Sequence, residues 1–323
     1  MKGRVENEIK ESKRMDKLLE NYESYMREFY DFLDEKSYTT KRNYINYVSD
    51  MLNGTLGNTR PSIDEIKGIN TGMLQRYMNS LKYTPDGKKI GASIRAARWS
   101  GINIFFKFLL SYQYIDENPF VDKVQRPQIK NDKEVVYLNE AEIQEMLNNV
   151  ESLGRGIFQK RDKAIIMLCI TTGLRKTAVT EINLEDINFE DGSILTTNKG
   201  EKTWAVYGGY KTMKAIKEWI EVRDTLFREN DEKTDALFIS SVRKRITPQG
   251  ITDIVKKYSS TLDKHITPHK LRSTCATNLY KQTGDILLVA ETLGHEDVSV
   301  TKRYTKVEES ARKRAGDIMN GLL

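Results

Sequence analysis

At 323 residues the chain has length for two domains, each large enough to bury a core. Lys and Arg number 52 against 46 Asp and Glu, a net charge of +6, which permits a nucleic-acid partner without requiring one. The two cysteines, Cys169 in an apolar run and Cys275 shortly after Arg272, are too few for a disulfide framework or a zinc site and are expected as reduced packing residues.

Residues 1–15 are a charged extension without the apolar stretch of a signal peptide. No later run approaches the ~18 uninterrupted apolar residues of a membrane helix, so a soluble, cytoplasmic protein is expected. Residues 16–118 read as helices joined by loops. Leu18, Leu19, Tyr22, Tyr25, Met26, Phe29, Phe32 and Leu33 recur at three and four, the period of a helix with one buried face. Tyr44, Ile45, Val48 and Leu52 repeat the pattern, and Asn53-Gly54 is expected to break it. Further helices are predicted near 70–82 and from Ser93 through Trp99, Ile102, Phe105 and Leu109. No alternating pattern occurs there, so a small all-helical domain is expected, with its aromatic residues in the core.

Asn118-Pro119 is expected to close that domain. Residues 119–135 carry Pro119, Pro127, Lys123, Arg126, Lys130 and Lys133 without apolar periodicity and read as an extended basic linker. Beyond it, Asn139 is predicted to cap one helix, and Asp162 to open another that is apolar on nearly all sides and central to the larger domain. That helix empties into Thr172-Gly173-Leu174-Arg175. Three short strands are expected, over 187–189, 194–197 and 203–207, separated by Asp191-Gly192 and by Asn198-Lys199-Gly200. Helices follow over 210–227 and 248–258, and the run Arg243-Lys244-Arg245 between them reads as a basic surface that faces DNA or is merely solvated.

Thr267 and Pro268 start a helix, the threonine as N-cap and the proline where its missing N–H costs nothing. His269 and Arg272 therefore share a face near a helix N-terminus, where the dipole favours an anion. Asp285 is predicted to cap a helix that stops at Gly294, which holds His295 just past its end; a short polar segment then leads to Tyr304.

His269-Lys270-Leu271-Arg272, Leu293-Gly294-His295 and Tyr304 resemble the C-terminal signature of the tyrosine recombinase (phage integrase) family, H-x-x-R, L-G-H and a nucleophilic tyrosine. Thr172-Gly173-Leu174-Arg175, followed by Val179, Ile182 and Asp186-Ile187, resembles its first motif, and Lys199 its lysine in a turn between strands. The resemblance covers residues 160–305 and is to the simple, Xer-like two-domain type. It implies a mainly α protein: a helical core-binding domain that clamps DNA over 16–118, and a mostly helical catalytic domain with a small three-stranded antiparallel sheet over 136–305. It also implies a basic linker lying against phosphates, and a tail over 306–323.

The activity so implied is site-specific recombination of double-stranded DNA by a homo-tetramer on paired sites, through a four-way junction and a 3′-phosphotyrosyl intermediate, with no cofactor and no metal. Arg175 and Arg272 would neutralise the nonbridging oxygens, because a guanidinium is planar, permanently charged and donates hydrogen bonds in pairs. Tyr304 would attack the phosphorus and Lys199 would protonate the departing 5′ oxygen, with Lys202 as its competitor. His269 would assist the tyrosine's proton transfer or bond the phosphate, and His295 would bond the phosphate. No carboxylate cluster sits among these residues to hold catalytic metal ions. A monomeric type IB topoisomerase and a catalytically idle DNA-binding relative are the alternatives. One departure stands out: the family usually has an acid three residues after the first arginine, and here that position is Ala178. Glu181, one turn on, is expected to serve instead. In the tail, Val307, Ala311, Ala315, Ile318 and Leu322 form an apolar stripe expected to dock on a neighbouring subunit.

Overall fold

The structure, a computed structural model, describes residues 12–129, 135–197 and 203–294. The chain divides into two compact units, Met1–Lys133 and Glu134–Leu323.

In the first unit, helix α1 is described over residues 12–19 and is followed by α2 (Ser24–Phe32), α3 (Tyr38–Leu56), α4 (Ile63–Lys67), α5 (Thr71–Ser80) and α6 (Ala92–Ser111). Helix starts follow the side-chain chemistry: Ser37 Oγ accepts from Thr40 N, Ser62 and Glu65 form a reciprocal capping box, and Asn70 Oδ1 accepts from Met73 N. The apolar stripes of α2, α3 and α6 converge on a core in which Phe29, Ile45, Phe105 and Phe108 are fully buried. Phe29 meets Phe105 edge to face at 5.1 Å between ring centroids. Phe29, Phe105 and Phe108 are thus committed to packing, as their spacing implied, whereas Phe32, Tyr83 and Tyr112 are exposed.

The break expected at Asn53-Gly54 does not occur: α3 continues to Leu56 and ends at Gly57, which takes φ of 68°. A Cβ on Gly54 would lie 2.7 Å from the Tyr77 ring, so this glycine is a point of close helix approach inside the helix. Phe120 and Val124, in the stretch read as linker, are buried in the same core. Phe120 stacks on Phe106, with ring planes 7° apart, and Trp99 Nε1 donates to the Val124 carbonyl at 3.0 Å.

The second unit begins with α7 (Glu140–Leu153), opened by an Asn139/Glu142 capping box, and α8 (Gly156–Thr172). Ala164, Ile165, Ile166 and Leu168 are fully buried, so α8 is the central helix that its all-round apolar pattern called for. It starts six residues before Asp162. That carboxylate caps nothing; it is buried inside the helix, where it accepts from Tyr258 Oη at 2.9 Å and from Arg161 Nε at 2.9 Å. After α9 (Lys176–Glu181) and a 3₁₀ turn, β1 (Ser193–Thr197) pairs antiparallel with β2 (Thr203–Tyr207), from Ser193↔Tyr207 to Thr197↔Thr203.

The expected third strand over 187–189 is reduced to a single bridge between Ile187 and Ile194. Asn188 N donates to Ser193 O at 2.9 Å and Gly192 N to Asn188 O at 3.1 Å, a tight reversal that leaves no length to pair. Among the described residues the unit continues with α10 (Gly209–Arg223), α11 (Pro248–Tyr258), α12 (Pro268–Thr283) and α13 (Ile286–Leu293). The architecture is mainly helical with one small antiparallel sheet. No helix among the described residues is long and apolar enough to cross a membrane.

Candidate active site

Helix α8 delivers its C-terminus into a loop that only glycine can make. Gly173 caps the helix at φ of 63°, and a Cβ there would lie 2.5 Å from Leu293 Cδ2 and 3.2 Å from Cys275 Cβ. The loop backbone is therefore pressed against α12 and α13 together. Leu174 is buried and anchors the next step. Arg175 follows, exposed, as the N-cap residue of α9.

Arg272 lies in the second turn of α12 and is 3 % exposed. Its Nη1 donates to the Gly173 carbonyl at 2.7 Å and its Nη2 to the Leu293 carbonyl at 2.7 Å. Both are charge-assisted bonds to backbone, and they fix the plane of the guanidinium. One side chain thus ties together three segments: its own helix, the loop entering Arg175, and the end of the helix that precedes His295. His269, one turn before Arg272, is exposed at the start of α12. Thr267 occupies the N-cap and Pro268 the first turn, as expected, although the threonine side chain makes no capping bond.

Asp285 caps α13 by accepting from Leu287 N at 2.8 Å and Leu288 N at 3.0 Å, and Gly294 ends it at φ of 62°. Beneath the Gly173 loop, Cys275 Sγ donates to Thr171 O at 3.3 Å, and burial pushes its thiol up to about 11 against the opposing pull of Arg272. Beside the site, α8, β2, α12 and α13 line a cavity of about 1070 Å³ whose walls include Ile170, Trp204, Val206, Leu279 and Leu288.

The structure therefore brings the Arg175 loop onto the helix that carries His269 and Arg272. Lys199, His295 and Tyr304 lie outside the described residues, as do Lys202 and the 306–323 tail. Lys199 falls in the connection between the paired ends Thr197 and Thr203. Residues 136–311 match the sequence model of the phage integrase family.

The chain belongs to the phage integrase family. Within it, the chain is a tyrosine site-specific recombinase by relationship: it is 29 % identical over 302 residues to tyrosine recombinase XerC of Bacillus subtilis, covering 90 % of this chain and 94 % of the relative. Tyrosine recombinase XerC of Alcanivorax borkumensis is 31 % identical over 211 residues, 65 % of this chain and 67 % of that one. In fold, the chain is similar to the lambda integrase tetramer bound to a Holliday junction, with a TM-score of 0.65 at 17 % identity, over 87 % of this chain and 76 % of that chain.

Two sequence expectations about the integrase site are corrected by geometry. Glu181 is exposed at the far end of α9 from Arg175, about 9 Å along the axis at 1.5 Å per residue. Its charge acts on Arg245, whose guanidinium it helps to keep ionised. The run Arg243-Lys244-Arg245 is not uniformly surface: Arg243 Nε pairs with Asp231 Oδ2 at 2.5 Å, and Arg245 Nη1 donates to Thr180 O at 2.8 Å. The sequence did carry a signal for this. The run is bounded by Leu237-Phe238-Ile239 and by Ile246, all buried, so it is a short reversal between core residues.

Proposed function

We propose that the chain is a site-specific DNA recombinase that cleaves and rejoins strands through a 3′-phosphotyrosyl intermediate on Tyr304, in the cytoplasm, on the nucleoid. The observation that carries this reading is the Arg272 clamp: a buried guanidinium bonded to the Gly173 and Leu293 carbonyls holds in register the loops that lead to Arg175 and His295. Charge built up on a phosphorane in the transition state is best met by donors that need not reorganise, and a guanidinium fixed by two backbone bonds is such a donor. Arg175 neutralises the second nonbridging oxygen, His269 assists the tyrosine's proton transfer or bonds the phosphate, and His295 bonds the phosphate. Lys199 protonates the leaving 5′ oxygen. The tyrosyl ester conserves the energy of the broken phosphodiester, so a second DNA hydroxyl reseals it without an external energy source.

The named relatives support DNA as the partner, and the lambda integrase tetramer on a Holliday junction supports assembly of four subunits on a four-way junction. In that assembly the 16–118 region clamps the duplex, the basic linker follows its phosphates, and the apolar stripe of the 306–323 tail docks in the cavity beside α12 and α13 of a neighbour. The deciding experiment is covalent capture. Wild-type protein incubated with DNA carrying its site should give an SDS-resistant adduct whose peptide contains Tyr304. Tyr304→Phe should bind that DNA with unchanged affinity and form none; an adduct that persists in Tyr304→Phe refutes the assignment.

A further inference from the structure

Helix α9 is six residues long, far below the length at which a helix holds itself in water, yet it presents Arg175 at its N-cap. Ala178 and Val179 pack it against the core, and a second fastening lies at its other end. The last carbonyls of a helix have no partners within it. Here Arg245 Nη1 donates to Thr180 O at 2.8 Å and Ile182 O at 3.3 Å, while Nη2 donates to Asn183 Oδ1 at 2.5 Å. A cation at this end also suits the helix dipole. The clamp is itself rooted: Leu237 N donates to Ile182 O at 2.9 Å, and Ile246, the next residue, is buried. Meanwhile Ala178, where the family usually places an acid, is 8 % exposed and packed in the main core, so no carboxylate reaches Arg175 from that position.

We propose that Arg245 is a positioning residue for Arg175: by clamping the C-terminal carbonyls of α9 it fixes the register at which that helix presents Arg175, the task left open at Ala178. The inference rests on the assignment of Arg175 to the scissile phosphate. Burial works against the charge on Arg245, and Glu181, Asp186 and Asp235 oppose that effect.

The test uses a nicked duplex spanning the cleavage site mapped by covalent capture, made once with a normal scissile phosphate and once with a neutral methylphosphonate. A methylphosphonate lacks the charge that Arg175 must neutralise. Displacing a catalytic group by an ångström costs on the order of 10²-fold, so Arg245→Met should lose about that much cleavage on the normal duplex. Arg245→Lys, which keeps the charge and one donor direction, should recover part of the loss. The double variant Arg175→Ala/Arg245→Met should be no slower than Arg175→Ala alone. On the methylphosphonate duplex both single variants should regain rate together, which a misfolded enzyme would not do. Losses that multiply in the double variant, wild-type cleavage by Arg245→Met, or rescue of Arg175→Ala without rescue of Arg245→Met each overturns the inference. If the methylphosphonate fails to rescue Arg175→Ala, the assignment of Arg175 has failed instead.

Discussion

Replacing Arg272 by lysine preserves the charge and removes the fork. In the structure the guanidinium reaches the Gly173 carbonyl with one nitrogen and the Leu293 carbonyl with another, each at 2.7 Å. An ammonium is a point donor and can hold one of these carbonyls, leaving the other buried without its bond. A hydrogen bond to a charged group contributes about 1.5–3 kcal/mol, so Arg272→Lys should destabilise the DNA-free second unit by about 2 kcal/mol. For a unit of this size that is a fall of about 4–8 °C in Tm. Differential scanning calorimetry without DNA reads it directly. The sign is informative, because a group held in strain only for its ligand leaves stability unchanged or raises it when substituted. Arg175→Lys, at an exposed position, is the control and should stay within about 0.5 kcal/mol of wild type. If Arg272→Lys melts with or above the wild type, the clamp does not hold the loops, and the mechanical role given to Arg272 is wrong.

Two other outcomes follow from the proposed chemistry. A 5′-bridging phosphorothioate supplies a leaving group that needs no proton, so cleavage lost in Lys199→Ala should return on that substrate; rescue of Lys202→Ala instead would transfer the role to Lys202. Removing the residues after Glu309 should spare binding to a single site and cleavage of a nicked duplex while abolishing strand exchange on paired sites. Normal recombination by the shortened chain would rule out docking in trans.

The sequence was most readable where one residue type answers to one local constraint. Asp285 and Gly294 bracket α13 because a carboxylate caps N–H groups and a left-handed C-cap favours glycine, and both are local facts. The stripes of α2, α3 and α6 were legible for the same reason. The lost third strand has a local cause, the tight reversal over 188–193; the other failures are tertiary. Gly54 looked like a break because nothing local reveals that the Tyr77 ring lies against it. Asp162 looked like a cap because its partners Tyr258 and Arg161 become relevant only once α11 packs on α8. The motif residues Arg175, His269 and Arg272 could be listed from spacing, but the carbonyls that orient Arg272 belong to Gly173 and Leu293. A sequence pattern cannot display a backbone acceptor. Arg245 was misread by composition, since a cluster of cations suggests a partner outside the molecule when its acceptors lie within it.

The contact between Trp99 and the chain after residue 119 sets where the first unit can be cut. Phe120 fills a slot between Phe106 and Trp99, Val124 offers its carbonyl to the indole, and the Arg126 guanidinium lies 5.7 Å over the same ring. A fragment that stops at residue 118 forfeits all of this. Loss of the fully buried Phe120 alone is comparable to a Phe→Ala core substitution, about 3–5 kcal/mol, a large share of what a domain of this size has in reserve. It would also lay bare two aromatic faces on which neighbouring molecules could associate. A fragment meant for crystallisation or for DNA titration should therefore run through Arg126, where the last of these contacts is made.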